Sequence, residues 1–284
     1  MTISRQKLSG YEKRIDRAKQ LAEEYRFAAK PLKFYTRIAQ FQKELFTTIA
    51  KEWGNQPVLQ PTGEFRSVLN FMVLLPKYPN FLALVEASAP HPLSETAATL
   101  SQEGSAAWME LLGEHWSKGG RTGENSVSQS SEQRSALKEF LARGFLQPYA
   151  EFIGEAIAEP AIEGTPYVCP KCDSLPLLGV LKPEGDGGRR FLHCAFCAYE
   201  WVFRRILCPA CGEEREDKLP VFVAEQFPHI RVECCDTCKH YLRTVDLTKN
   251  GNAVAEADDL AAIPLTLWAQ ENGYTRIHTN LLGA

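Results

Sequence analysis

No stretch of the sequence approaches the roughly 18 consecutive apolar residues that a membrane helix needs, so no membrane insertion is expected. The opening, MTISRQKLSGYEKRIDRAKQ, has none of the apolar core of a secretory leader, which points to a cytoplasmic location. Basic charge is not in excess either. The 32 Lys and Arg stand against 35 Asp and Glu, for a formal net charge of −3. A nucleic-acid-binding chain shows the opposite, a basic patch, and no nucleic-acid partner is expected. The patterns G-x-S-x-G, G-x-x-x-x-G-K-[ST] and H-E-x-x-H are absent. That removes the nucleophile elbow, the phosphate loop and the zinc-protease helix and leaves no visible catalytic constellation.

What is present is an ordinary globular composition, 44% hydrophobic and 24% charged over 284 residues. A chain of this length can bury a core without staples. Its charge is unevenly spread. Residues 1–60 carry twelve basic against six acidic side chains, residues 61–164 seven against thirteen, and residues 165–250 twelve of each. The first half reads as helical. Ile15, Ala18, Leu21, Ala22 and Tyr25 recur at three- and four-residue steps, as do Phe34, Ile38, Phe41, Leu45, Phe46 and Ile49 after Pro31. Such stripes could form a groove for a partner peptide, but core packing of a helical bundle is the plainer reading. EFRSVLNFMVLLPKYPNFLALVEA, interrupted at Pro76 and Pro79, reads as two short helices, and LSETAATLSQEGSAAWMELLGEHW as another with Ser94 as its N-cap. Residues 117–133 read as a polar linker. Leu137, Phe140, Leu141 and Phe145 mark a helix that Pro148 should kink or split.

The texture changes at Pro160. Short β-like runs follow: FLH, YEWVFRRIL, LPVFVAEQ, IRVE and YLRTVDL, with turns at EGDGG and KNGN. A final helix is expected from near Asp258 to Asn272, capped by Asp258 or Asp259 and stopped by Gly273, with Pro264 disturbing its first turns.

All nine cysteines lie in residues 165–250, and eight form four Cys-x-x-Cys pairs: CPKC, CAFC, CPAC and CDTC, separated by 21, 10 and 23 residues. In a reducing compartment such pairs are metal ligands or redox dithiols rather than disulfides, and an odd total fits a disulfide framework poorly. Redox dithiols usually come singly. Two thiolates from one tight turn can share an ion, and two turns complete a closed S4 tetrahedron. The long–short–long spacing assigns Cys169, Cys172, Cys194 and Cys197 to one site and Cys208, Cys211, Cys235 and Cys238 to a second. A crossed pairing of first with third and second with fourth stays open. A hairpin in each long gap returns the chain to the metal, and the two modules abut through YEWVFRRIL. Each module should fold on its ion and leave the helical half with a core of its own. Soft S4 sites suit zinc or a single rubredoxin-type iron. Cys234 reads as a small buried hydrophobe, with a free thiol that could exchange as a ligand as the sharper alternative. His193 and His240, beside knuckles, could substitute for or hydrogen-bond a sulfur, but read more plainly as packed surface histidines. The architecture is α+β: a helical domain (1–164), two tandem rubredoxin- or zinc-ribbon-like modules (165–205 and 206–252), and a C-terminal helix and tail (253–284).

YVCPKCDSLPLLGVL, RFLHCAFCAYEWVFRRILCPACGE, VECCDTCKHYLRTVDLTKNG and AVAEADDLA…LWAQENGY together resemble the formate dehydrogenase accessory proteins, the FdhE-like family. The likeness covers roughly 165–284 closely and RFAAKPLKFYTRIAQFQ and FLARGFLQPYAE more loosely. It implies a non-catalytic cytoplasmic assembly factor. Such a factor binds the catalytic subunit of respiratory formate dehydrogenase, a client with a twin-arginine export signal, and is needed for its maturation. It implies metal at the eight knuckle cysteines, with iron favoured over zinc. This chain's own Arg189-Arg190 and Arg204-Arg205 are internal and are not export signals. Arg204 and Arg205, expected on a strand where the modules meet, are the candidate partner contact. Pro264 departs from the family's continuous helix. The competing classes are a zinc-ribbon nucleic-acid binder, which should be retained on heparin in a salt-dependent way, and a thiol or iron redox protein, which should reduce insulin.

Overall fold

The computed structural model describes residues 5–53, 65–118 and 129–283. The apolar stripes of the first half face inward. Ile15, Ala18, Leu21 and Ala22 are buried on α1 (Arg5–Glu24), and Phe34, Ile38, Leu45, Phe46 and Ile49 on α2 (Ala29–Trp53). The proline-rich stretch forms a 3₁₀ turn at Phe65–Ser67, α3 (Phe71–Leu74), a second 3₁₀ turn at Leu75–Lys77, and α4 (Tyr78–Ser88). Pro79 stands in the first turn of α4, where its missing N–H costs nothing. The single helix expected after it is two, α5 (Leu93–Glu103) and α6 (Ser105–Lys118), because Gly104 turns the chain at φ +80°. Its cap position is Pro92 rather than Ser94. Most of the expected linker, residues 119–128, lies outside the described residues.

The helix is not split at Pro148: α7 (Gln129–Ala156) runs through it. A proline removes the N–H that would bond the carbonyl four residues back, here that of Gly144. Gln42 of α2 supplies the substitute, donating from Nε2 to the Gly144 oxygen at 2.7 Å. The lost bond within α7 thus becomes a bond between helices.

The second half holds β1 (Pro176–Glu184), β2 (Gly187–Cys194), β3 (Glu200–Val202), β4 (Val221–Val223), β5 (Ile230–Cys234), β6 (His240–Asp246) and β7 (Thr275–Arg276). They form one sheet in the order β3-β2-β1-β6-β5-β4, with β7 on β6. Each metal module is an antiparallel three-stranded meander, and the long gaps hold the hairpins β1–β2 and β4–β5. YEWVFRRIL is not the shared element, because β3 is a sheet edge. The modules join through the parallel pairing of β1 with β6, Gly179 to Thr244 through Leu181 to Asp246. A Cβ on Gly179 would stand 2.3 Å from Thr244 Oγ1, so glycine lets these strands close.

The last helix is also two. α8 (Ala255–Ala261) and α9 (Ile263–Glu271) meet at Ala262, with Pro264 in the first turn of α9. Asp258 and Asp259 therefore sit inside α8 rather than capping it. Gly273, at φ +79°, ends α9: its N–H bonds the Gln270 carbonyl, and that of Tyr274 bonds Ala269, a Schellman closure. One continuous core joins the helices to the first module. It contains Phe46, Phe81, Trp116 and Phe145 together with Cys169, Cys172, Cys194, Cys197 and Trp201. The helical half therefore does not have a separate core.

Candidate metal centres

Each Cys-x-x-Cys pair is built by the same backbone turn. The N–H of the first cysteine bonds the carbonyl five residues on, from Cys169 to Ser174, Cys194 to Tyr199, Cys208 to Glu213 and Cys235 to His240, at 2.9 Å each. The residue after the second cysteine is left-handed in all four: Asp173 at φ 57°, Ala198 at 53°, Gly212 at 79° and Lys239 at 58°. Only Gly212 announces this in the sequence. The turn aims backbone N–H groups at sulfur, with Phe196 and Cys197 donating to Cys194 Sγ at 3.3 and 3.4 Å and Ala210 to Cys208 Sγ at 3.4 Å.

The eight knuckle cysteines gather as the spacing predicted. Cys169, Cys172, Cys194 and Cys197 form one group and Cys208, Cys211, Cys235 and Cys238 the other, with the sulfurs of each group within 4.8 Å of one another. The crossed pairing is ruled out. In the first group Cys169 Sγ lies 3.6 Å from Cys197 Sγ, and Cys172 Sγ 3.4 Å from Cys194 Sγ. In the second, Cys208–Cys238 and Cys211–Cys235 are both 3.7 Å apart. These separations are too long for a disulfide, whose sulfurs are about 2.05 Å apart. A tetrahedron with metal–sulfur bonds of about 2.3 Å has edges of about 3.8 Å, so both groups fit one thiolate-bound ion. Burial pushes the Cys169 and Cys197 thiols up; at Cys172 the same burial is outweighed by hydrogen bonds from the neighbouring thiols, which hold its thiol down. Four thiolates this close repel one another, and a bound ion supplies the compensating charge.

The surroundings of the two groups differ. All four cysteines of the first are buried. α7 presses on it: a Cβ on Gly154 would lie 3.1 Å from Cys197 Cβ and 3.6 Å from its sulfur. Lys171, inside the first knuckle, donates to the Gly154 and Ile157 carbonyls at 2.9 and 3.2 Å and so ties off the end of α7. Phe196, inside the second knuckle, packs against Phe65, His115 and Trp116. Arg66 lies over its ring, donating to the Cys172 carbonyl and, at 3.0 Å, to Ser174 Oγ. In the second group Cys211 is exposed and Cys238 partly so.

Cys234 joins neither group. It packs with Phe227, Ile230, Val232 and Tyr241 under α9, and burial pushes its thiol up to about 12, as the small-hydrophobe reading expects. His240 Nδ1 lies 2.9 Å from the Cys238 carbonyl oxygen. His193 is buried between Glu200 and Glu256; burial opposes its charge, but the two carboxylates raise it to about 9. Arg204 and Arg205 follow β3 outside any strand, and Arg205 lines a cleft with residues of both modules. Arg204 forks onto Glu214 at 2.7 and 3.2 Å, and Arg205 is exposed beside Cys208.

The sequence reading missed the acidic residues of α8. Glu256 pairs with Arg14 of α1. Asp258 receives Arg17 at 2.6 and 3.0 Å and lies 2.9 Å from His229 Nε2. Asp259 pairs with Arg243 of β6 at 2.8 Å and Arg276 of β7 at 2.7 Å. One helical turn thus clamps α1 to the sheet. The run EADDLA carries the only local signal, three acids crowded on a short apolar helix.

Comparison with known proteins agrees with this construction. A family model described as "FdhE, central domain" matches residues 168–205, and "FdhE, C-terminal domain" matches residues 206–282. The "Protein FdhE homolog" of Aquifex aeolicus (strain VF5) is 30% identical over 161 residues, which are 56% of this chain and 55% of that protein. The matched region thus spans about half the length of that relative. The homologue of Pectobacterium atrosepticum is 26% identical over 95% of this chain and 86% of its own length. The crystal structure of the FdhE protein from Pseudomonas aeruginosa superposes with a TM-score of 0.66 over 96% of this chain and 95% of that one, at 24% identity, and so shares the fold. Matches to two adjoining FdhE models, relatives of one name and a common fold over 96% of the chain agree in making this chain similar to the FdhE proteins.

Proposed function

We propose that this protein is a non-catalytic, cytoplasmic accessory factor. In this reading it binds the catalytic subunit of respiratory formate dehydrogenase before that subunit is exported by the twin-arginine route, and is required for its maturation. The observation that carries the reading is the FdhE-like region, residues 168–282, with all eight knuckle cysteines inside it. The donor sets support a binding role. Four thiolates complete a tetrahedral ion and leave no position for a substrate. Iron is proposed over zinc in both groups, on the strength of the family resemblance, since the donors accept either. Among the described residues, no helix is long and apolar enough to cross a membrane. Arg204 and Arg205, both exposed after β3, are the proposed partner contact, Arg204 being shared with Glu214.

Deletion of the gene tests the reading. Respiratory formate dehydrogenase activity should be lost while the catalytic polypeptide is still made. Full activity in the deletion strain would contradict an accessory role.

A further inference from the structure

A second surface, on the face of the helical half formed by α2, α7, the α4–α5 connection and the C-terminal tail, carries an open cleft. A groove of about 950 Å³ opens there, walled by Phe34, Leu93, Phe140 and Leu281. Its size and apolar lining are those of a binding cleft rather than a packing gap. Along one rim stand Lys30, Lys33 and Arg37, one turn apart on α2 and all exposed. Among the described residues none of the three has a hydrogen-bond or ion-pair partner.

Their placement runs against local preference. Lys30 and Lys33 lie in the opening turns of α2, where the helix dipole is positive and acidic side chains are favoured, and that first turn has no acidic residue. Three unpaired cations adding to a positive helix end are unfavourable for the free protein. They become favourable when an anion covers them. Among the described residues, Glu139 is the one carboxylate lining the groove, and it faces the buried Arg143. Arg143 in turn donates to the Ala195 carbonyl, between Cys194 and Cys197, at 3.2 Å. The floor of the groove therefore touches the first metal centre.

We infer that this groove binds an amphipathic acidic segment of the partner protein, its apolar face on Phe34, Leu93, Phe140 and Leu281 and its carboxylates on Lys30, Lys33 and Arg37. The partner is the catalytic subunit of the preceding section, and the inference rests on that reading. A basic segment is excluded by the rim charge.

The experiment co-purifies the full-length protein with the catalytic subunit and compares wild type with K30E/K33E/R37E and with K30R/K33R/R37K. A photo-crosslinking phenylalanine replaces Leu137 in the groove wall, and the crosslinked peptide is sequenced. The expected result is a crosslink to a segment with apolar residues at helical spacing and acidic neighbours. Affinity should fall roughly tenfold or more in the charge-reversed variant and stay near wild type in the charge-conserving one, with metal content unchanged in all three. Equal binding by the charge-reversed variant overturns the inference, as does a crosslink only to a basic segment. Two alternative occupants also overturn it: vesicles of anionic lipid that bind through these three cations while the subunit does not, and self-association lost in the charge-reversed variant. If wild type does not bind the subunit at all, the accessory reading falls first and takes this inference with it.

Discussion

At the scale of single residues, the metal groups rest on backbone geometry as much as on sulfur. Four left-handed positions follow the four cysteine pairs, and only one is glycine. A left-handed conformation costs a non-glycine residue roughly 1–2 kcal/mol. Ala198→Gly should therefore stabilise the protein, by up to about 1 kcal/mol once glycine's greater freedom in the unfolded chain is subtracted. A denaturant midpoint at or below wild type would count against strain at that position. Gly154 poses the opposite constraint. A valine there would push its Cβ into Cys197, and its further methyls would press on the sulfur. Gly154→Val should lower metal content by one equivalent per chain, taken from the first group alone; two retained equivalents would show that α7 yields. The knuckles and their pairing were legible because thiol spacing is a local property. The left-handed residues were mostly not, because Ala198 and Lys239 carry no local mark of positive φ and Asp173 only a weak one.

At the scale of elements, most helices and strands were legible from periodicity, and the places where that reading failed have distant causes. Pro148 stays within α7 because Gln42, more than a hundred residues earlier, bonds the carbonyl that the proline leaves free. Asp258 and Asp259 looked like caps because their partners Arg17, His229, Arg243 and Arg276 are far away in sequence. β1 was not read as a strand, nor its pairing with β6 foreseen. That pairing gives a direct test: Gly179→Ala forces a methyl against Thr244 and should cost about 1–3 kcal/mol, while Thr244→Ala in the same chain should return part of the loss. Additive effects in a double-mutant cycle would argue against the close β1–β6 contact. The α8 clamp should respond to acid. Burial pushes the Asp258 carboxyl up, but His229 and Arg17 hold it below its usual value. A depressed folded-state value contributes stability above the unfolded value, near pH 3.9, and that stability is lost as pH falls through the folded value. Asp258→Asn should lower stability at neutral pH by about 3 kcal/mol and flatten the loss of stability below pH 4. An unchanged acid limb would mean that other carboxylates govern it.

At the scale of the whole molecule, the sequence separates a helical half from a cysteine-rich half, and the structure joins them. The first metal group lies within the helical core, pressed by Gly154, Phe196, Arg66 and Lys171, whereas the second lies outside that core with Cys211 in solvent. Loss of the two ions should therefore have different reach: from the first group into the helices, from the second only across β4–β6. The central claim is two closed tetrathiolate centres of unequal burial. Its most direct test is metal analysis of anaerobically purified wild-type, Cys169→Ser and Cys211→Ser protein, with limited proteolysis of the same samples. The expected result is two ions per chain in wild type and one in each variant, with cleavage reaching α7 in Cys169→Ser and confined to the second module in Cys211→Ser. Less than one equivalent of iron plus zinc in wild type, or knuckle cysteines found in disulfides, would contradict it.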